Sequence, residues 1–311
     1  MGSLHRVSAA GVIGKTVLGA GAVGAACFAY ASLYEVNAYT LRRVEVPILP
    51  RGSRPIRILQ ISDLHLTPRN RQRIEWVSRL AGLEPDLVID TGDNLSHPDS
   101  VPVVTRALGR LLDRPGLFVW GSNDYYAPTF KNPLAYLTRP SRMGRQHRQE
   151  LPWRELGAEF ERAGWVDLTH RRLTMEINGT RLGFRGADDA HLGRDQYALV
   201  AGPVDHENEG DLVIGVTHAP YRTVIDAMTY DGCELVIAGH THGGQVCIPF
   251  YGALVTNCDL DPARVKGLST NSAGGKTSFL HVSAGLGTSP YAPFRFACRP
   301  EATLLTLVPQ V

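Results

Sequence analysis

The chain has few of the residues that staple a small fold. Its 311 residues include only five cysteines: Cys27, Cys233, Cys247, Cys258 and Cys298. The number is odd and no two stand as Cys-x-x-Cys, which argues against a disulfide framework or a thiolate zinc knot and leaves buried free thiols as the expectation. An excess of one charge is also missing. Lys and Arg number 32 against 30 Asp and Glu, a net charge of +2. That is too little to attract nucleic acid or a strongly acidic partner, so no nucleic-acid partner is expected. There is no internal repeat, and no low-complexity tract beyond one Gly/Ala run. What is present is a hydrophobic fraction of 43% against 20% charged, the balance of a globular protein with a substantial core.

Charge is wholly absent from Thr16 to Tyr34, "TVLGAGAVGAACFAYASLY". About 20 apolar residues cross a bilayer, so this stretch is just long enough. It reads as a single N-terminal membrane anchor over residues 16–34. A cleaved signal peptide ending near Ala29-Tyr30-Ala31 is the competing reading, and a buried helix the third. Lys15 and Arg6 before the run and Arg42 and Arg43 after it pull in opposite directions, which leaves sidedness open. The expected division is an anchor or signal segment with linker over 1–44 and one domain over 45–311.

Beyond the linker "PILPRGSRP" the pattern alternates. Apolar strand-length runs at 56–62, 86–91 and 116–120 are separated by helical spacing at 70–83, with Asn70 as its cap, and at 101–112. Strand, helix, strand, helix, strand implies a parallel sheet with crossover helices. Residues 125–152 carry Lys131, Arg139, Arg142, Arg145, His147 and Arg148 with little periodicity: a solvated loop, a basic lid or a membrane-surface contact. A helix at 153–164 follows. A hairpin turning at Asn178-Gly179, strands at 211–218 and 234–242 around a helix from about 221 to 228, and two closing strands complete the chain. Two sheets packed face to face between helices are expected, an α/β fold.

The polar residues collect where strands run out. "ISDLHL" places Asp63 and His65 two apart; "DTGDN" places Asp93; "WGSND" places Asn123 and Asp124; "GVTHAP" places His218; "AGHTHGGQ" places His240 and His242. In extended backbone, residues i and i+2 share a face, so each pair should present both side chains together. Ligands of open α/β sheets bind beyond the carboxyl ends of strands. Two carboxylates, four imidazoles and one amide, with no thiolate, suit divalent Mn, Fe or Zn and disfavour an all-oxygen calcium site. Gly243 and Gly244 make either a simple tight turn or an approach for a ligand that no side chain obstructs. His97, Asp188, Asp189 and His191 lie in loops within reach of a substrate.

The series "DLH", "GDN", "GSND", "THAP", "GHTHGGQ" resembles the calcineurin-like metallophosphoesterases, in particular a membrane-associated bacterial branch with "GHTHGGQ" and a tail that here reads "AGLGTSPYAPFRFACRPE". The resemblance runs from about residue 45 to the end. It implies a four-layer α-β-β-α sandwich of two mixed sheets with two divalent metal ions at the sheet edge. Carried over, Asp63, His65 and His242 would hold one ion, Asn123, His218 and His240 the other, and Asp93 both. The implied activity is hydrolysis of a phosphate mono- or diester, with a phosphorylated small molecule, a phospholipid or a nucleotide-linked lipid as substrate. Two further readings are a catalytically impaired metal-binding module and a soluble-nucleotide phosphodiesterase. One motif departs: the family reads Gly-Asn-His-Asp where this chain has Gly121-Ser122-Asn123-Asp124. Asn123 is the expected metal amide, and Asp124 the stand-in for the missing imidazole at the leaving group.

Overall fold

The computed structural model of the chain describes residues 9–129 and 148–310. It opens on helix α1 (Ala9–Ala29), which continues through a turn of π-helix at Tyr30–Tyr34 into strand β1 (Thr40–Leu49). Then come β2 (Ile56–Ile61), α2 (Arg71–Arg79), β3 (Leu87–Asp90), α3 (Val101–Leu108), β4 (Gly116–Phe118), α4 (Ser122–Tyr125), α5 (Trp153–Arg162) and β5 (Val166–Asp167). The second half comprises β6 (Arg172–Ile177), β7 (Thr180–Gly186), α6 (His206–Glu209), β8 (Leu212–Val216), α7 (Arg222–Asp231) and β9 (Leu235–Ala238). It ends with β10 (Cys247–Ile248), β11 (Gly252–Ala253), β12 (Gly267–Ala273), β13 (Lys276–Val282) and β14 (Glu301–Pro309).

Two six-stranded mixed sheets result, ordered β1-β14-β2-β3-β4-β5 and β12-β13-β9-β8-β7-β6. Their facing sides bury one apolar layer, in which Ile58, Ile89 and Val119 of the first sheet's segment meet Phe184, Ile214 and Ile237 of the second. The outer face of the first sheet is covered by α2, α3 and α5 through Val77, Val104, Leu108, Leu156 and Phe160. The outer face of the second is covered by α7 through Val224, Ile225 and Met228. The expected four layers are therefore present. Strands β2, β3, β8 and β9 are buried along their whole length, apart from one half-buried position, Arg57. That is why they read as unbroken apolar runs rather than alternating ones.

Two long strands escape the sequence pattern, as do the two-residue strands β5, β10 and β11. β1 begins at Thr40, ahead of the expected boundary at residue 44, and pairs with β14 from Thr40↔Glu301 onward. It is the outermost strand of its sheet, so Arg42, Arg43 and Glu45 face solvent and Pro47 is tolerated there. β12 is likewise outermost and rich in Ser, Thr and Asn. Asn70 does not cap α2 with its side chain; its Oδ1 instead accepts from Thr67 N at 2.7 Å.

The expected membrane span over 16–34 is not supported: among the described residues no helix is long and apolar enough to cross a membrane. Gly19, Gly21 and Gly24 dilute its hydropathy. The segment is tied to the body at its end, where Glu35 accepts from Ala297 N at 3.0 Å and Cys298 N at 2.6 Å. Of the basic loop, Lys131, Arg139, Arg142, Arg145 and His147 lie outside the described residues.

Candidate metal centre

The polar residues follow strand ends, but not in extended backbone. β2 stops at Ile61 and β9 at Ala238. Asp63, His65, Asp93, His240 and His242 then all have positive φ, at 52°, 41°, 61°, 71° and 49°. Such conformations are disfavoured for side chains other than glycine and persist only where surrounding contacts fix them. Left-handed turns, not extended backbone, therefore set the directions of these side chains. His240 and His242 do not share a face: His240 turns to His218, and His242 to Asp63 and His65. Gly121 explains one tight approach, since a Cβ there would lie 2.3 Å from Asp93 Oδ1 and 2.7 Å from His218 Cε1.

Two buried clusters meet at this edge. Asp63, His65 and His242 form one, and Asp63, Asp93 and His218 the other. The two share Asp63, and Asp93 of the second also faces the first, with Oδ2 3.5 Å from His65 Nε2 and Oδ1 3.6 Å from His218 Nε2. His218 Nδ1 donates to Thr91 O at 2.6 Å, which leaves Nε2 with its lone pair exposed. His240 Nε2 donates to Asn257 O at 3.2 Å, which does the same for Nδ1. These two nitrogens then face each other 3.2 Å apart, lone pair to lone pair in the neutral rings. Only a proton or a cation reconciles them. Asp63 Oδ1 and His65 Nε2 are buried without a hydrogen-bond partner, a costly state unless something else satisfies them. Nitrogen and carboxylate donors of this kind fit borderline divalent cations.

Electrostatics points the same way. Burial pushes Asp63 up to about 6, with His218 opposing and Asp93 adding to the rise. Burial also resists ionisation of Asp93, but His218, His65 and the N–H groups of Asn123 outweigh it and hold that carboxyl below the usual range. His218 is raised to about 9, because Asp93, Asp189 and Asp63 overcome the burial that would lower it. His65 falls to about 4, chiefly by burial. His240 and His242 are lowered well below an ordinary imidazole by burial and by their neighbours. The two raised groups set a sign. Their stabilising contribution to the cation-free protein is complete below the unperturbed values of 3.8 and 6.5, and is lost as pH rises toward 6 for Asp63 and 9 for His218. A cation takes the place of those protons. Adding Mn to chelator-treated protein should therefore raise the melting temperature more at alkaline than at mildly acidic pH, read by thermal melts. Equal gains at both would contradict this ligand set.

The altered motif resolves differently from the expectation. Asp124 does not reach the cleft: it is fully buried, and its carboxylate accepts from the backbone N–H of Gly121, Asp93, Asn94 and Leu95 at 3.0, 2.7, 2.7 and 3.2 Å. It braces the two loops rather than facing a leaving group. Asn123 does face the cleft, and its N and Nδ2 donate to the two oxygens of Asp93 at 2.7 and 2.6 Å. Gly243 and Gly244 are explained from below. They have φ of 61° and 82°, and added Cβ atoms would lie 2.7 Å from Cys298 Sγ and 2.4 Å from Ala253 Cβ. Gly244 alone of the two lines the cleft, so room for a phosphate is not what Gly243 supplies. His97 is not brought to the cleft; it accepts from Asp99 N in an exposed turn.

One residue the sequence pattern did not single out as functional matters here. Arg295 is fully buried. Its Nη2 lies 3.3 Å from His242 Nδ1 and donates to the carbonyls of Ala284, Gly285 and Gly287 at 2.7, 3.1 and 2.7 Å. It is the first of two arginines in the quoted tail, so a signal existed, but nothing in the local pattern tied it to a histidine about fifty residues earlier. Arg295→Lys keeps the charge without the planar fork. It should weaken Mn binding by about tenfold to a hundredfold, measured by calorimetric titration; unchanged affinity would show that His242 needs no such support. Of the loop residues expected within reach of a substrate, His191 is brought to the cleft, with its ring 4.7 Å from that of His240 and Nδ1 3.0 Å from Tyr221 Oη. Asp188 is instead engaged by Tyr125 and Arg194.

The cleft above the clusters has a volume of about 270 Å³. Its lining combines polar side chains, among them His65, Asp93, Asn123, His240 and His242, with apolar or aromatic ones, among them Val246, Leu254, Tyr291 and Phe294. Against known proteins, the model of the calcineurin-like phosphoesterase family matches residues 56–244. The chain is 25% identical over 313 residues to the metallophosphoesterase YkuE of Bacillus subtilis, covering 96% of this chain and 95% of that one. It is 24% identical over 286 residues to the phosphodiesterase YaeI of Escherichia coli, covering 90% and 93%. A bovine transmembrane protein with a metallophosphoesterase domain is 29% identical over 272 residues, covering 85% of this chain and 56% of that protein.

Proposed function

With the chain a member of the calcineurin-like phosphoesterase family, and so a metal-dependent phosphoric ester hydrolase, we propose that it cleaves a phosphodiester at a centre of two divalent cations, Mn, Fe or Zn. Asp63, His65 and His242 would hold one ion, His218, His240 and Asn123 the other, and Asp93 both. The observation that carries this is the convergence of His218 Nε2 and His240 Nδ1, 3.2 Å apart, beside the buried Asp63 Oδ1 and His65 Nε2, neither of which has a hydrogen-bond partner. When bound, such a pair lowers the pKa of water, polarises phosphoryl oxygens and offsets developing charge.

The chain's own residues do the positioning. Thr91 O and Asn257 O fix the tautomers of His218 and His240. Asp124 pins the Asp93 loop to the Gly121 turn. A half-turn of the Asn123 amide exchanges its donor for its acceptor, so the same side chain can offer Oδ1 to a cation. His191, at the His240 side of the cleft, is placed to donate a hydrogen bond to a phosphoryl oxygen. No imidazole occupies the position that the family's Gly-Asn-His-Asp motif gives it, and general acid help of that kind contributes roughly 10²–10⁴-fold; slow turnover relative to relatives that keep the histidine is the consequence.

The apolar part of the cleft lining, Val246, Leu254 and Phe294, favours an ester with an apolar substituent, a phospholipid or a nucleotide-linked lipid. Chelated protein given Mn should recover hydrolysis of a soluble chromogenic diester, and should act on a lipid-linked diester with the higher kcat/KM. No turnover with any divalent cation would overturn the hydrolase centre, and equal kcat/KM would remove the lipid preference alone.

A further inference from the structure

The apolar part of the cleft lining continues outward as an exposed hairpin. β10 and β11 pair at Cys247↔Ala253 and Ile248↔Gly252, which carries Phe250 and Tyr251 at the tip. Phe250 is 110% exposed and Tyr251 76%, with Ile248 and Leu254 also exposed beside them. Phe250 has φ +67°, a conformation unusual for a bulky side chain, and the backbone there holds the ring away from the core. The patch is built into the site. Val246 bridges Phe296, and Gln245 Nε2 donates to Ala292 O and Phe294 O at 2.8 and 3.1 Å. Phe28 and Tyr30, at the end of α1, carry the apolar surface on, with ring centroids 6.1 Å from Phe294 and 6.2 Å from Phe296.

A basic pocket adjoins the hairpin. Arg42, Lys266 and Arg299 line it together with Tyr30 and Pro249. Its one carboxylate, Glu35, is already taken by two backbone N–H groups. Arg42 is paired with Glu301, whereas Lys266 and Arg299 form no ion pair among the described residues. Aromatic and aliphatic side chains beside clustered cations are the composition that meets an anionic lipid surface, the rings at the acyl boundary and the cations among the headgroups. A second copy of this chain docking by two-fold symmetry would set the same cations against each other, so charge selects the bilayer over self-association.

We propose that the 246–254 hairpin and the adjoining Arg42/Lys266/Arg299 pocket dock on an anionic phospholipid bilayer and present the mouth of the cleft to a phosphoester held in the lipid phase. The docking stands on the surface itself; its catalytic consequence rests on the hydrolase reading above.

The test uses the full chain carrying Phe250→Trp, with the wild type as baseline for the native tryptophans. Mixed with phosphatidylglycerol vesicles, the added indole should shift its emission to shorter wavelength and be quenched by brominated acyl chains. Phosphatidylcholine vesicles should do far less. The double substitution Phe250→Asp, Tyr251→Asp should cut turnover of a vesicle-embedded phosphodiester by about tenfold or more, with turnover of a soluble chromogenic diester unchanged. No quenching in either lipid, or an emission shift that follows protein concentration without lipid and so marks self-association, would overturn the docking surface. Quenching in a protein that hydrolyses neither substrate would leave the surface standing and remove the hydrolase reading instead.

Discussion

Asp93→Asn should yield a folded protein whose metal-dependent hydrolysis of a phosphodiester is lower by about a thousandfold or more, and which retains neither cation after desalting. Asp93 is the group that faces both sides: one oxygen stands 3.5 Å from His65 Nε2 and the other 3.6 Å from His218 Nε2. The asparagine keeps the volume but loses the charge. One of its two positions also becomes an N–H donor where Asn123 already donates from N and Nδ2. Donors then oppose donors in a buried site, so the loss exceeds that of a single metal contact. His218 is held near 9 largely by Asp93, so the variant should also bind fewer protons at neutral pH. Metal content by mass spectrometry and kcat/KM on the same preparation check both parts. A variant retaining two ions and normal turnover would remove Asp93 from the shared position.

His240→Ala should behave differently, and the contrast is the informative part. His240 sits against His218 and reaches the first cluster only through its backbone N–H, which donates to Asp63 Oδ2 at 3.0 Å. Truncating its ring removes a nitrogen from the His218 side while Asp63, His65 and His242 keep their arrangement. One ion should remain bound and one be lost, with turnover falling by about a hundredfold or more. Loss of both ions, or of neither, would mean that the two clusters are not separate binding sites.

Much of this was legible in the chain. Strands buried on both faces gave apolar runs that stand out from the helices between them, so β2, β3, β4, β8 and β9 were readable, and with them the strand ends that carry Asp63, Asp93, His218 and His240. What was not legible has physical causes. Edge strands alternate and carry charge, so β1, with Arg42, Arg43 and Pro47, looked like linker. Left-handed backbone at five of the polar residues cannot be inferred from strand periodicity, and it decides that His240 and His242 point apart. Asp124 looked like a proton donor because, with Asn123 taken as the metal amide, it falls where the family's motif has its histidine; its carboxylate is committed to four backbone donors that sequence does not display. Gly243 looked open to ligand and is instead closed off by Cys298, while Gly244 does line the cleft, packed over Ala253. Arg295 acts across more than fifty residues, through a contact only the folded chain creates.

The central claim is the place where the cations sit, and anomalous diffraction at the manganese edge from crystals grown with Mn tests it directly. Two peaks are expected, one among Asp63, His65 and His242 and the other between His218 and His240, with Asp93 against both. Density without a peak at either position, or a peak elsewhere in the molecule alone, would contradict it.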